Sequence, residues 1–261
     1  MERKHELFRM TWKEIREVFA GDPVIVIPMG STEQQGPHTP TGDYRLAEVL
    51  ASDVCRETGT YCTSTIPFGC SEYFRPFPGT ISFSQDTMRQ VMRDVCQSFF
   101  EHGVTRLIFF CGHAGNGPVL DRVAREIRRE KGLVIPTIDL WQQIPLSVKT
   151  EIFGGQNPSG HGGEPLSSIS TYLFEEDMRM DLFSEEKTNK QVFGFDVKSL
   201  TKAAVKGTDI EFSLYCNMDD ISPEGIMGTP RLASRERGRL LYECVKERCC
   251  KFVEAWKRYG K

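Results

Sequence analysis

Three short polar stretches hold the residue types from which a hydrolytic centre can be built. The first, STEQQGPHTPTGD (31–43), follows directly on an apolar run and carries Glu33, Gln35, His38 and Asp43. Glu33 and Gln35 can point the same way from an extended segment, and Asp43 opens a helical pattern. Two carboxylates with a side-chain carbonyl or an imidazole can hold a divalent cation. The same letters also suit a solvated glutamate and a helix-capping aspartate. The second stretch, FFCGHAGNGPVLD (109–121), places His113 at the end of an apolar run in a glycine-rich turn, where a ligand can approach closely or the imidazole can simply bond a backbone carbonyl. The third, GHGGEPLSS (160–168), sets His161 three residues before Glu164, one face if the turn is helical, although Glu164 also fits a first-turn acid favoured by the helix dipole. Of five histidines, His38, His113 and His161 fall in these clusters, and His5 and His102 lie outside them. Imidazoles and carboxylates converging on one cleft point to metal-assisted hydrolysis.

What must position these residues is a sheet. Short apolar runs, VIVIPM (24–29), YCTSTIPF from Tyr61, TRLIFFC from Thr105 and LVIPTIDLW from Leu133, alternate with stretches of helical periodicity starting at Asp43, Thr87 and Pro118. The last two stop at Gly103 and Gly132. An opening helix is marked by the capping-box spacing of Thr11 and Glu14, with Trp12, Ile15, Val18 and Phe19 on one face. A helix beginning near Glu164 and a closing helix from about Ser234 to Trp256 complete the pattern, and Asp177 to Pro230 reads as short segments and loops. The alternation predicts a single layered α/β/α domain over 1–261 with a mostly parallel central sheet. In such sheets ligands bind beyond the carboxyl ends of the strands, where the first two polar clusters fall.

Composition narrows the function. With 33 Lys and Arg against 36 Asp and Glu, the net charge of −3 leaves no basic excess for a nucleic-acid partner. The charged N-terminus lacks a signal-peptide core and no stretch approaches a membrane span, so a cytoplasmic protein is expected. The nine cysteines form an odd set without CxxC spacing, expected as reduced thiols and not as a zinc site or a disulfide framework.

On these residues the sequence resembles the creatininase family of metal-dependent amidohydrolases. PMGSTEQQGPHTPTGD, FPGTIS (77–82), CGHAGN, GHGGEPLSS and GIMGTPRLASRERG (225–238) are similar, in order, to the family's motifs and span most of the chain. The resemblance implies an α/β layered fold, commonly oligomeric and so a homo-oligomer here, acting on a small-molecule substrate with Zn²⁺ or Mn²⁺, one or two ions per subunit. It implies metal ligation by Glu33, Asp43, His113 and Glu164, with Gln35 at a further ligand position. His161 takes the role of proton transfer or substrate orientation, and His38 and Asn116 are expected to buttress the site or bind substrate.

Three departures stand out. Gln35 occupies the place of a usual histidine ligand, the Glu33 to Asp43 interval is one residue short, and Cys111 replaces an asparagine. A neutral amide is a poorer Zn²⁺ donor than imidazole, so a weak, empty or Mn²⁺-suited second position, or a mononuclear site, is expected. Creatininase proper carries a glutamate where Gly115 stands, which argues against creatinine as substrate. The leading expectation is hydrolysis of a cyclic amide or related carbonyl compound. Alternatives are ring opening of a keto-inositol such as 3-dehydro-scyllo-inosose, a catalytically degraded metal- or sugar-binding protein, and covalent catalysis by Cys111, whose bland reading is a small buried residue.

Overall fold

The computed structural model describes residues 3–183 and 187–259. Four parallel strands, β1 (Val24–Met29), β2 (Tyr61–Cys62), β3 (Arg106–Cys111) and β4 (Thr137–Asp139), form a sheet in the order β2-β1-β3-β4. Around it lie α1 (Trp12–Phe19), α2 (Tyr44–Thr58), α3 (Gln85–Phe100), α4 (Gly117–Lys131), α5 (Leu146–Ile152), α6 (Leu166–Leu173), α7 (Met218–Ile221) and α8 (Arg235–Tyr259). The period-2 alternation of β1 divides two cores. Val24 and Val26 join Ile108 and Phe110 of β3 under α2, α6 and α8. Ile25, Ile27 and Met29 join Leu107 and Phe109 under α3 and α4 on the opposite face. A strand buried on both faces must be apolar throughout, which is why VIVIPM has no polar alternation. The expected α/β/α layering is therefore present.

The register matters for function. Met29 pairs with Cys111, and Cys111 with Asp139, so β1, β3 and β4 end level. The loops after them must open at the same edge.

Two expected strands are shorter than their apolar runs, for the same reason. Pro28 accepts from the Ile66 N–H at 3.0 Å but has no N–H to return on that side, and β2 stops at Cys62, leaving only an isolated bridge between Met29 and Ile66. Pro136 likewise precedes β4 and contributes only its carbonyl, to Phe109 N. Thr11 and Glu14 form the expected capping box on α1, but Trp12 is exposed and sits under the Arg16 guanidinium, while Ile15, Val18 and Phe19 pack inward.

The stretch from Asp177 to Pro230, expected as short segments and loops, contains a second sheet, antiparallel, of β5 (Gln191–Val192), β6 (Phe195–Ser199), β7 (Lys202–Ala204) and β8 (Glu211–Ser213). Its strands are too short and too exposed to give a periodic signal. The β6–β7 turn carries Leu200 to the cleft described below.

Helices α6 and α8 approach closely at Gly238, where a Cβ would lie 2.6 Å from the Ser168 carbonyl carbon. Gly238→Ala is expected to lower stability by about 1–3 kcal/mol or more, as overpacking does, whereas Leu240→Ala, on the same helix at 41% exposure, should change it by about 0.5 kcal/mol or less. Urea-unfolding midpoints of the two variants check this; equal effects would contradict the packing argument.

Candidate metal centre

At the level sheet edge three buried side chains meet. Glu33 leaves the loop after β1, Asp43 stands immediately before α2, and His113 follows β3. One donor atom from each lies within 4.8 Å of the others. His113 Nδ1 is 3.2 Å from Glu33 Oε2 and 3.3 Å from Asp43 Oδ2. Among the described residues no further histidine, cysteine, aspartate or glutamate joins this group.

The surroundings settle how each donor faces. His113 Nε2 lies 3.0 Å from the Cys70 carbonyl, which can only accept, so Nε2 carries the hydrogen and the Nδ1 lone pair is left for the carboxylate side. Ser31 Oγ lies 2.5 Å from Ser71 Oγ, and Ser71 in turn donates to Glu33 Oε2. Glu33 Oε1 accepts from Gln35 Nε2 at 3.0 Å. Asp43 does not cap its own helix; its Oδ1 accepts from Ser31 N–H at 2.7 Å, leaving Oδ2 for the cluster.

Two buried carboxylates facing one imidazole make a site of excess negative charge, which a proton or a cation must relieve. Burial alone disfavours the His113 cation, yet Glu33 and Asp43 outweigh it and raise its pKa well above the ordinary value. Burial also works against ionised Glu33, but the charge and hydrogen bond of His113, with Ser71, hold its carboxyl below the usual range. Asp43 is pushed up to about 6 by burial, with the Glu33 charge adding to it. A divalent cation replacing the shared proton suits this oxygen and nitrogen donor set.

The cluster forms the floor of a cleft of about 410 Å³. His161, Glu164 and Gln35 also line it, with Tyr73, Phe74, Asp139, Trp141, Lys149 and Leu200. His161 stacks on Phe74 at 4.1 Å between centroids and its Nε2 is 2.9 Å from the Gln34 carbonyl. Burial depresses its pKa below the ordinary value, with the Glu33 charge pulling the other way. Trp141 Nε1 donates to the Gly112 carbonyl at 2.5 Å, tying the loop after β4 to the one bearing His113.

Not every expected site residue joins the metal group. Glu164 lies in the cleft wall, its carboxylate accepting from Ser168 Oγ at 2.8 Å and Ser168 N at 3.2 Å, outside the three-donor cluster. Burial pushes its carboxyl up to about 7. Gln35 turns its amide nitrogen to Glu33. His38 bonds Ser167 Oγ at 3.0 Å and lines a neighbouring cavity with Arg179 and Glu224. Asn116, fully buried, donates to the Gly30 carbonyl and accepts from Cys70 N, stapling together two loops that carry site residues. Cys111 is 2% exposed, donates to the His113 carbonyl and has its thiol pushed up to about 12 by burial, which fits the packing reading and not a nucleophile. Ser71, Tyr73, Phe74, Trp141 and Lys149 join the site without a motif of their own; Trp141 ends the apolar run LVIPTIDLW and Lys149 follows it, which is the available signal.

An α/β layered protein with a carboxylate–imidazole cluster at the carboxyl edge of its parallel sheet belongs to a class in which hydrolases are common. The family pattern of creatinine amidohydrolase matches residues 9–253, so the chain belongs to the creatininase family and is a hydrolase. It is 28% identical over 249 residues to the 3-dehydro-scyllo-inosose hydrolase of Thermotoga maritima, covering 88% of this chain and 76% of that protein. It is 25% identical over 247 residues to the mycofactocin precursor peptide peptidase of Mycobacterium ulcerans, covering 90% and 86%. A solved creatininase described with Mn superposes with a TM-score of 0.80 at 21% identity, covering 97% of this chain and 98% of that one.

Because cation and proton compete for His113 and Asp43, affinity for Zn²⁺ or Mn²⁺ should weaken as pH falls from 8 through about 6. Ser71→Ala should weaken it about 10-fold or more at fixed pH by releasing Glu33. Titration calorimetry checks both, and an affinity flat across that range would contradict the assignment.

Proposed function

We propose that the chain is a divalent-metal-dependent hydrolase that cleaves the C–N bond of a small polar carbonyl compound, a cyclic amide or a relative of one. The observation that carries this is the convergence of Glu33, Asp43 and His113 on the floor of a cleft whose wall holds His161 and Glu164. Glu33, Asp43 and His113 are the residues to hold Zn²⁺ or Mn²⁺. When bound, such an ion supplies positive charge that polarises a carbonyl and acidifies water.

The remaining chemistry is proton movement, and the wall residues divide it. A neutral imidazole with a depressed pKa accepts a proton, and a carboxyl raised to about 7 still carries one to give. Groups whose surroundings push their pKa values in opposite directions make an acid–base pair. His161 is thus assigned as base, taking the proton of the attacking water. Glu164, reassigned from ligand to acid, protonates the leaving nitrogen. Ser168, donating to both carboxylate oxygens, fixes its direction. Phe74 against one face of His161 limits the ring's freedom and excludes water.

Ring opening of a keto-inositol is the second reading. The similarity to the Thermotoga enzyme favours it, as does a cleft wall bearing the Tyr73 hydroxyl and the Lys149 ammonium, groups that bond hydroxyls. The similarity to a peptidase favours the amide reading.

Protein dialysed against chelator and then given Zn²⁺ or Mn²⁺ should be assayed on creatinine, formamides and keto-inositols. Activity should vanish on dialysis and return with the ion; full turnover by ion-free protein would sink the proposal. His161→Gln should lower kcat by about 10²- to 10⁴-fold. In the pH profile the acid limb should lie below 6.5, where His161 protonates, and the alkaline limb near 7, where Glu164 loses its proton. Glu164→Gln should abolish the alkaline limb, and its persistence would remove Glu164 from the role.

A further inference from the structure

We infer that Gln35 is a substrate-orienting residue beside a single bound ion, its side-chain carbonyl accepting a hydrogen bond from an N–H or O–H next to the reacting carbonyl. This rests on the metal-centred reading of the cleft.

The amide's orientation follows from its neighbour. Gln35 is 3% exposed and lies 3.0 Å from Glu33 Oε1, an oxygen that as carboxylate can only accept. The NH₂ end must therefore face Glu33, and Oε1 faces away from it. That oxygen is buried and, among the described residues, has no hydrogen-bond partner. A buried carbonyl without a donor is costly to keep and is rarely left so without a reason. The side chain lines the same cleft as His161 and Glu164, where the donor of a bound molecule can reach it.

The alternative, that this oxygen helps to hold a second ion, meets two obstacles. Gln35 turns its N–H, and not its carbonyl, toward Glu33 Oε1, so the two side chains do not present a pair of acceptor oxygens to an ion between them. The turn after His113 offers nothing in compensation. A Cβ at Gly115 would lie 2.5 Å from His113 Nε2 and press on the Cys70 carbonyl, so no side chain fits there on this backbone. Among the described residues the group of convergent charged donors ends at Glu33, Asp43 and His113. The substrate class this implies is a carbonyl compound bearing an adjacent N–H or O–H, a secondary amide or an α-hydroxy ketone, rather than an ester or tertiary amide.

The test uses the full chain loaded with Zn²⁺. Elemental analysis after gel filtration should give one zinc per chain in the wild type and in Gln35→Met. Acetohydroxamic acid, which carries an N–H beside its carbonyl, should bind the loaded wild type about 10-fold more tightly than N-methylacetohydroxamic acid, which lacks it. In Gln35→Met that preference should shrink to about threefold or less. Two zinc ions per wild-type chain, or loss of zinc from a Gln35→Met variant with native circular dichroism, would make Gln35 a ligand and overturn the inference. So would a wild type that binds the two hydroxamates equally, a result that needs no variant. A wild type that binds no zinc at all would instead bring down the metal-centred reading itself, and this assignment with it.

Discussion

His113 has two ring nitrogens and two incompatible neighbourhoods, and the site follows from how it divides between them. The Cys70 carbonyl takes the hydrogen of Nε2, so Nδ1 is the nitrogen turned toward Glu33 and Asp43, where a proton or a cation is held. Two carboxylates and an imidazole nitrogen cannot share a buried space without a positive charge among them. For that arrangement to persist, the backbone at Cys70, Ser31 and Gly112 must be held in place. Asn116 does much of this, spanning from the Gly30 carbonyl to Cys70 N. The parallel pairing of Met29 with Cys111 does the rest by ending β1 and β3 at one level.

This explains why the site draws on residues far apart in sequence while keeping its donors on rigid elements. Glu33 and His113 leave adjacent strands, and Asp43 lies at the start of a helix packed on the same sheet. Ser31 and Ser71 then aim the oxygens: the Ser31 backbone N–H takes one Asp43 oxygen, and the linked Ser31 and Ser71 hydroxyls take one of Glu33. Oriented donors make cation binding selective by geometry, since raw affinity alone distinguishes ions poorly.

The layered fold was legible because strands buried on both faces leave unbroken apolar runs and the helices between them keep their period. Glu33 and His113 could be found as residues that follow those runs, and Asp43 as the residue that opens a helical stretch. What could not be read depended on direction. Nothing in GHGGEPLSS says whether Glu164 faces the metal donors or Ser168, because three glycines leave the backbone free to take either course. Gln35 was visible as an odd letter, but which end of its amide meets Glu33 is a tertiary fact. The small antiparallel sheet escaped because strands of two to five residues, half exposed, leave no periodic trace.

The segment GIMGTPRLASRERG bears no candidate catalytic side chain, and the fold gives it a reason to be there. Met227 N and Gly228 N both donate to the His161 carbonyl, Thr229 N donates to Pro158, and Gly225 accepts from Gln34. The chain at Gly228 runs so near Gly160 and Gly163 that a Cβ at any of the three would meet backbone within 2.8 Å. The loop that holds His161 is thus clamped from behind by a strip of backbone, while Phe74 and Gln34 fix the ring from in front. The loop that bears His161 and Glu164 needs glycine to let the two backbones touch. Its rigidity comes from this contact, and its freedom to place His161 and Glu164 over a cluster built elsewhere comes from standing outside the strand register.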